Sequence, residues 1–425
     1  MTNSFKPEGD DENLPDPDVL LDGLAEYVNP GRARIYRLMG MTNVEWFAEG
    51  SKVVDTEGRE FIDLCAGYAV MNAGHRHPRI LEAVQDQMSR LALSTRTMLS
   101  AGEVELAGRL AELTPGELSR SFFCATGAEA VEVALKMARA HTDRENIVAA
   151  EHGFHGKTMG ALSATGKGDY REPFEPLVPG FAHAPFGDIE AMDEAVDQKT
   201  AAVILEPIQG EAGAVAPDDD YLAQVREICS EAGALLILDE IQTGLGRTGK
   251  NFACEHYGVV PDIMTLAKGL GGGIMPVGAC IARPEVFDIF DEHPWVHSST
   301  TGGNPLACAA ATAFLDVLVE ENLAQEAAEK GEIVRERLLK LISDHPEVIS
   351  DISGKGLLQG VKFTQPAGGL TVLMQLFERG VLVIPSLMNW SVMRIAPPLT
   401  IPVEKLERGM DIIEQTVSDT KSQLT

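Results

Sequence analysis

The sequence predicts an α/β protein: a large domain built on a mainly parallel sheet sandwiched by helices, joined to a smaller α+β domain. Two observations predict it. Between residues 95 and 315, helical patterns alternate with the short apolar runs RSFFCA, NIVAA, AAVILE, ALLILD and IMTLA, the order that parallel strands with crossover helices require. The 425 residues also exceed the length at which one core stops growing, and 44% of them are apolar, enough to fill more than one.

The elements follow in order. Residues 1–27 read as a flexible acidic arm, because MTNSFKPEGDDENLPDPD holds too few apolar side chains to offset the entropy of ordering it. Residues 28–94 read as the first part of the small domain and a linker, with strand patterns VEWFAEG and KVVDTEGREFIDL separated by turn residues. Residues 95–315 form the large domain. Residues 316–425 read as the C-terminal small domain, with a helix over LAQEAAEKGEIVRERLLKLI and strands in LLQGVKF, GVLVIP and VMRIA.

Charge narrows the partners. With 35 basic against 64 acidic residues, a net charge of −29, the chain lacks the basic clusters that nucleic-acid phosphates require. Small molecules are the expected partners; the acidic excess suits a well-solvated surface and salt adaptation alike. Cys65, Cys124, Cys229, Cys254, Cys280 and Cys308 are dispersed without metal-ligand spacing, and no metal site is expected. Apolar runs such as GALLIL are too short to cross a bilayer, and no apolar leader opens the chain, so a cytoplasmic protein without a membrane role is expected.

The chemistry centres on two strand ends. Asp239 closes ALLILD, and Lys268 closes IMTLAK ahead of the glycines of GLGGG. A lysine amine can hold an aldehyde cofactor as a Schiff base, while a carboxylate under a pyridine nitrogen keeps that nitrogen protonated. The pair reads as a pyridoxal 5'-phosphate site. Ligands of such sheets bind outside the carboxyl ends of the strands, where Glu206 also falls, and Gln242 follows Asp239 closely enough to meet a ring hydroxyl. Upstream, SFFCATGAEAVEVALKMAR runs from strand to helix, and Thr126, Gly127 and Ala128 at its start leave room for a phosphate on free N–H groups, although Thr126 can equally be a plain cap. GLGRTGK spells GxGxxG and nearly a P-loop, yet Asn251 stands where the P-loop needs Ser or Thr, and EIQT separates the glycines from their strand.

The stretches TGAEAVEVALKMAR, HGFHGKT, EPIQGEAG, LDEIQTGLGRTGK, LAKGLGGG, GGNPLACAA and RIAPPLT together resemble class III aminotransferases, PLP enzymes of fold type I, over about residues 28–415. The look is closest to putrescine (diamine) aminotransferases, with ornithine and acetylornithine aminotransferases as near neighbours. The resemblance implies a small domain built from both termini. It makes Lys268 the Schiff-base lysine, Asp239 the pyridine-nitrogen partner and Gln242 a neighbour of the ring hydroxyl. Thr126, Gly127 and Ala128 would hold the phosphate; Phe154 would stack on the ring, with His155 beside it as packing. Thr300 matches a phosphate-binding threonine given by the neighbouring subunit, which implies a homodimer with shared sites. Thr301 replaces the family's usual aromatic residue, adding a second hydroxyl there. Arg394 would grip a substrate carboxylate, Glu211 would pair with Arg394 when the substrate brings none, Glu206 would be structural, and Tyr68 would help select the amine. The implied reaction passes a terminal amino group from a diamine such as putrescine to 2-oxoglutarate, a 2-oxo acid, giving an amino aldehyde and glutamate by a ping-pong mechanism. Ornithine, acetylornithine or another ω-amine is the alternative donor, and a decarboxylase or aminomutase the alternative PLP chemistry.

Overall fold

A computed structural model of the chain describes residues 15–424. The expected acidic arm lies outside the described residues up to residue 14, and Pro17–Gly23 is already a helix, its first turn capped by Asp16. Three strands follow, β1 (Glu45–Glu49), β2 (Lys52–Asp55) and β3 (Glu60–Asp63), paired antiparallel in that order.

Seven strands make the large sheet: β4 (Arg120–Cys124), β5 (Asn146–Ala150), β6 (Phe181–Ala184), β7 (Thr200–Leu205), β8 (Leu235–Asp239), β9 (Ile263–Leu266) and β10 (Gly278–Ala282). Their order is β4-β10-β9-β8-β7-β5-β6, and β10 alone runs against the others. The central strand β8 and its neighbour β7 are buried along their whole length, as parallel strands covered on both faces must be. Alternation then splits them between two cores. Leu236 and Leu238 pack with Leu222, Val225 and Phe314 of the helices on one face, whereas Leu235 and Ile237 pack with Val131, Ala134 and Ala138 of the helix Gly127–Thr142 on the other.

The remaining strands are β11 (Ile349–Lys355), β12 (Leu358–Phe363), β13 (Val381–Leu382), β14 (Ile384–Pro385) and β15 (Val392–Ile395). β13 joins β3 in parallel, with Val381 opposite Ile62, so residues from the two ends of the chain share one sheet. β11, β12, β15 and β14 form a separate antiparallel sheet that carries Arg394. The long helix Leu323–Asp344 leads into this sheet from the large domain.

Three details differ from the sequence reading. β6 and β10 were not expected, because FAHA and GACIA are short and rich in small residues with weak strand preference. β9 stops at Leu266 rather than at Lys268, which instead adopts φ +42° in a tight turn.

Candidate active site

A cavity of about 500 Å³ opens at the carboxyl ends of β4, β5, β7, β8 and β9. Into it the fold brings Thr126, Gly127, Ala128, Phe154, Glu211, Asp239, Gln242 and Lys268, drawn from stretches up to 142 residues apart.

Asp239 is buried, and each of its oxygens is held. Oδ2 lies 2.8 Å from Nδ1 of His155, and Oδ1 accepts from the Ile241 N–H at 3.1 Å. The His155 ring is equally buried, yet its Nε2 has no partner. His155 is thus more than the packing residue expected; the second histidine of HGFHG is the local signal, but its partner lies 84 residues away. Lys268 stands in the left-handed region that disfavours side chains, a conformation that tertiary contacts must hold. Burial lowers the pKa of its amine, opposed by the carboxylate of Glu211. Glu206 lines the same cavity, its two oxygens accepting from the N–H groups of Phe154 (2.8 Å) and Gly210 (3.0 Å), and burial pushes its carboxyl up to about 7.

Behind Glu211 and Gln242, which line the cavity, sits a buried ionic knot; Arg394 and Tyr68 belong to it without lining the cavity themselves. Arg394 is 1% exposed, and its Nη1 donates to Glu211 Oε1 at 2.9 Å and to Gln242 Oε1 at 2.7 Å. Gln242 Nε2 donates in turn to Glu211 Oε1 at 3.1 Å. Burial raises the Glu211 carboxyl, but Arg394 and Lys268 outweigh it and hold the group below its usual range. The other edge of the guanidinium, Nε and Nη2, has no partner. Tyr68 covers this arginine, its ring centroid 5.6 Å from the guanidinium carbon, within a run of residues 66–69 that all hold positive φ. Gly210 makes the knot possible: a Cβ there would stand 1.8 Å from Gln242 Oε1.

At the third wall Thr126 caps the helix Gly127–Thr142, its hydroxyl accepting from Glu129 N–H while Glu129 accepts from the N–H of Thr126. That box leaves the N–H groups of Gly127 and Ala128 at the head of the helix dipole, facing the cavity. A Cβ on Gly127 would approach Ile241 Cδ1 to 2.7 Å. Gly127→Ala is therefore expected to cost about 1–3 kcal/mol by overpacking and to loosen anion binding, checked by a denaturant titration with and without inorganic phosphate. Thr300 and Thr301 do not line this cavity; they are exposed, next to Gly302, whose carbonyl accepts from Arg96 at 2.9 Å. Trp295, Met98 and Leu99 are exposed on the same chain, at 85%, 81% and 100%.

No group of metal-ligating side chains is found among the described residues, and none of their helices is long and apolar enough to cross a membrane. The model of the class III aminotransferase family matches residues 41–417. The chain belongs to the class III aminotransferases. Solved members share the fold closely: an ornithine aminotransferase from Toxoplasma gondii is 34% identical, with 97% of each chain covered and a TM-score of 0.90. An acetylornithine aminotransferase from Elizabethkingia anophelis is 35% identical, covering 89% of this chain and 94% of its own, at a TM-score of 0.78. An (S)-enantioselective ω-transaminase from Thermomicrobium roseum is 32% identical over 96% and 99%, at 0.88. The architecture is that of fold type I PLP enzymes, and class III aminotransferases use pyridoxal 5'-phosphate and act on amines and 2-oxo acids.

Proposed function

We propose that this aminotransferase takes a terminal amino group from a diamine such as putrescine and gives it to 2-oxoglutarate, leaving an amino aldehyde and glutamate. The observation that carries this reading is the two-faced arginine. Arg394 keeps one edge on Glu211 and the other edge free, so a dicarboxylate can dock on the free N–H groups as a bidentate pair. A donor without an α-carboxylate brings no anion to this arginine, and Glu211 then neutralises it by itself.

The residues present fit the cofactor. Lys268 would hold its aldehyde carbon; Asp239, fixed by His155, would face the ring nitrogen; Gln242 would lie near the ring hydroxyl; Phe154 would cover the ring; and Thr126, Gly127 and Ala128 would take the phosphate. Bound there, the cofactor supplies an electron sink for the carbanion charge that builds when a donor carbon loses its proton. Lys268 moves that proton, and its lowered pKa favours the neutral amine such a base needs. His155, through Nδ1, keeps Asp239 oriented rather than exchanging protons with substrate. Each half-reaction releases one product before the other substrate binds, hence ping-pong kinetics.

Exposed Thr300 and Thr301, beside exposed Trp295, suit a homodimer in which each chain completes its neighbour's phosphate site. We infer a cytoplasmic enzyme whose small domain comprises residues 28–94 and 316–425 around the large domain at 95–315. The similarity to ornithine and acetylornithine aminotransferases favours a second reading, in which ornithine or acetylornithine is the donor. A donor panel read by glutamate formation separates the two: the diamine reading expects putrescine and cadaverine to lead, and activity with acetylornithine but none with putrescine refutes it.

A further inference from the structure

A second cavity, about 1010 Å³, lies between the loop Thr248–Lys250, the helix Leu323–Asp344, β11 and the segment that follows Glu211. It shares no lining residue with the active-site cavity. Its walls carry four permanent cations, Lys250, Arg335, Lys355 and Lys362. Against them stand the carboxylates of Glu329, Glu332 and Asp351. An excess of positive charge is out of keeping with a chain at −29. The cations are also poorly matched: Lys355 has the exposed Asp219 at 3.7 Å and the Tyr257 ring at 5.7 Å, and Lys250, Arg335 and Lys362 have no carboxylate within 4.0 Å among the described residues.

One buried atom adds a second, independent requirement. Gln359, 1% exposed, lines this cavity, and its Nε2 donates to the Gly356 carbonyl at 2.8 Å while its Oε1 has no donor. A buried acceptor without a donor is costly, and a ligand N–H would relieve it. The wall therefore asks for carboxylates opposite the lysines and arginine, and for an ammonium opposite Gln359 and the glutamates. Four cations against three anions leave one positive charge, which a ligand of net charge −1 balances.

We infer that this cavity is a second ligand site, specific for a free acidic amino acid, a molecule with two carboxylates and one ammonium. Binding there is independent of the donor chosen in the active site, so the inference stands whichever donor reading holds.

The test is equilibrium dialysis of labelled L-glutamate against holoenzyme treated with borohydride, which fixes the cofactor on its lysine and stops glutamate from reacting. One saturable site per chain is expected. Lys250→Ala with Arg335→Gln should weaken it roughly tenfold or more, the loss of a charge-assisted contact, while the unreduced double variant keeps its kcat and so reports an intact fold. Arg394→Lys should leave the dialysis unchanged. The inference is overturned if no saturable binding occurs, if Arg394→Lys removes it while the double variant retains it, or if inorganic phosphate and succinate displace the label as well as aspartate does.

Discussion

Lys268→Ala is expected to give a folded protein that binds the cofactor without its visible lysine-linked absorbance and does not turn over. Positioned proton transfer alone contributes ~10²–10⁴-fold to a rate, and here the same amine would also anchor the cofactor, so activity should fall at least that far. The geometry gives the substitution little else to disturb. Lys268 lies two residues past the end of β9 in a turn with φ +42°, and alanine meets the same backbone penalty with a smaller side chain. Removing a buried amine also removes a desolvation cost, although Glu211 then loses one of the two cations that hold it ionised. Absorbance spectra, a thermal melt and single-turnover kinetics check the three parts. A variant that retains wild-type turnover would sink the assignment of the base.

Asp239 supports a companion expectation with a separate readout. Asp239→Ala leaves His155 buried with neither ring nitrogen partnered, an unsatisfied polar pair worth about 1–3 kcal/mol. The apo protein should melt earlier, cofactor should dissociate faster, and proton removal from the donor should slow. An unchanged cofactor off-rate and rate profile would place the ring nitrogen elsewhere.

What the sequence disclosed follows from the range of each signal. β7 and β8 were legible because AAVILE and ALLILD are uninterrupted apolar runs, and such runs mark strands buried on both faces. Asp239 and Lys268 were legible because one ends its strand and the other follows its strand by two residues, so local order alone sends them to the same sheet edge. FAHA and GACIA were not legible as strands, since only pairing with Ile147–Ala150 and with Ile263–Leu266 makes them so. Long-range chemistry was the least visible. Nothing local to MRIAP says that Arg394 is buried against Glu211, 183 residues earlier, and only the resemblance supplied that pairing. His155 was underrated for the same reason. Thr300 and Thr301 mark a different boundary: they lie away from the cavity of their own chain, and a second copy would be needed to bring them to one.

The Arg394–Glu211 pair carries the sharpest kinetic expectation, because its two members should fail in different halves of the reaction. Arg394→Ala removes the only guanidinium that lines this knot, so 2-oxoglutarate loses its carboxylate anchor. Truncating one member of a buried charge pair costs about 2–5 kcal/mol, which corresponds to a KM for the 2-oxo acid raised roughly 30-fold or more. Glu211→Ala should do the reverse. With Glu211 gone, Arg394 faces a carboxylate-free donor as an uncompensated buried cation, and donor binding should weaken by a similar factor while the 2-oxo acid half-reaction is spared. Folding needs its own control, since Arg394→Ala leaves Glu211 buried beside Gln242 and Lys268 alone. Arg394→Lys keeps the charge but loses the bidentate fork, and should retain the fold while still raising KM for the 2-oxo acid. Half-reactions followed separately, by cofactor absorbance in single turnovers, distinguish the cases. Equal losses in both halves for Glu211→Ala would show that the glutamate only packs, and the reasoning that admits a diamine beside a buried arginine would go with it.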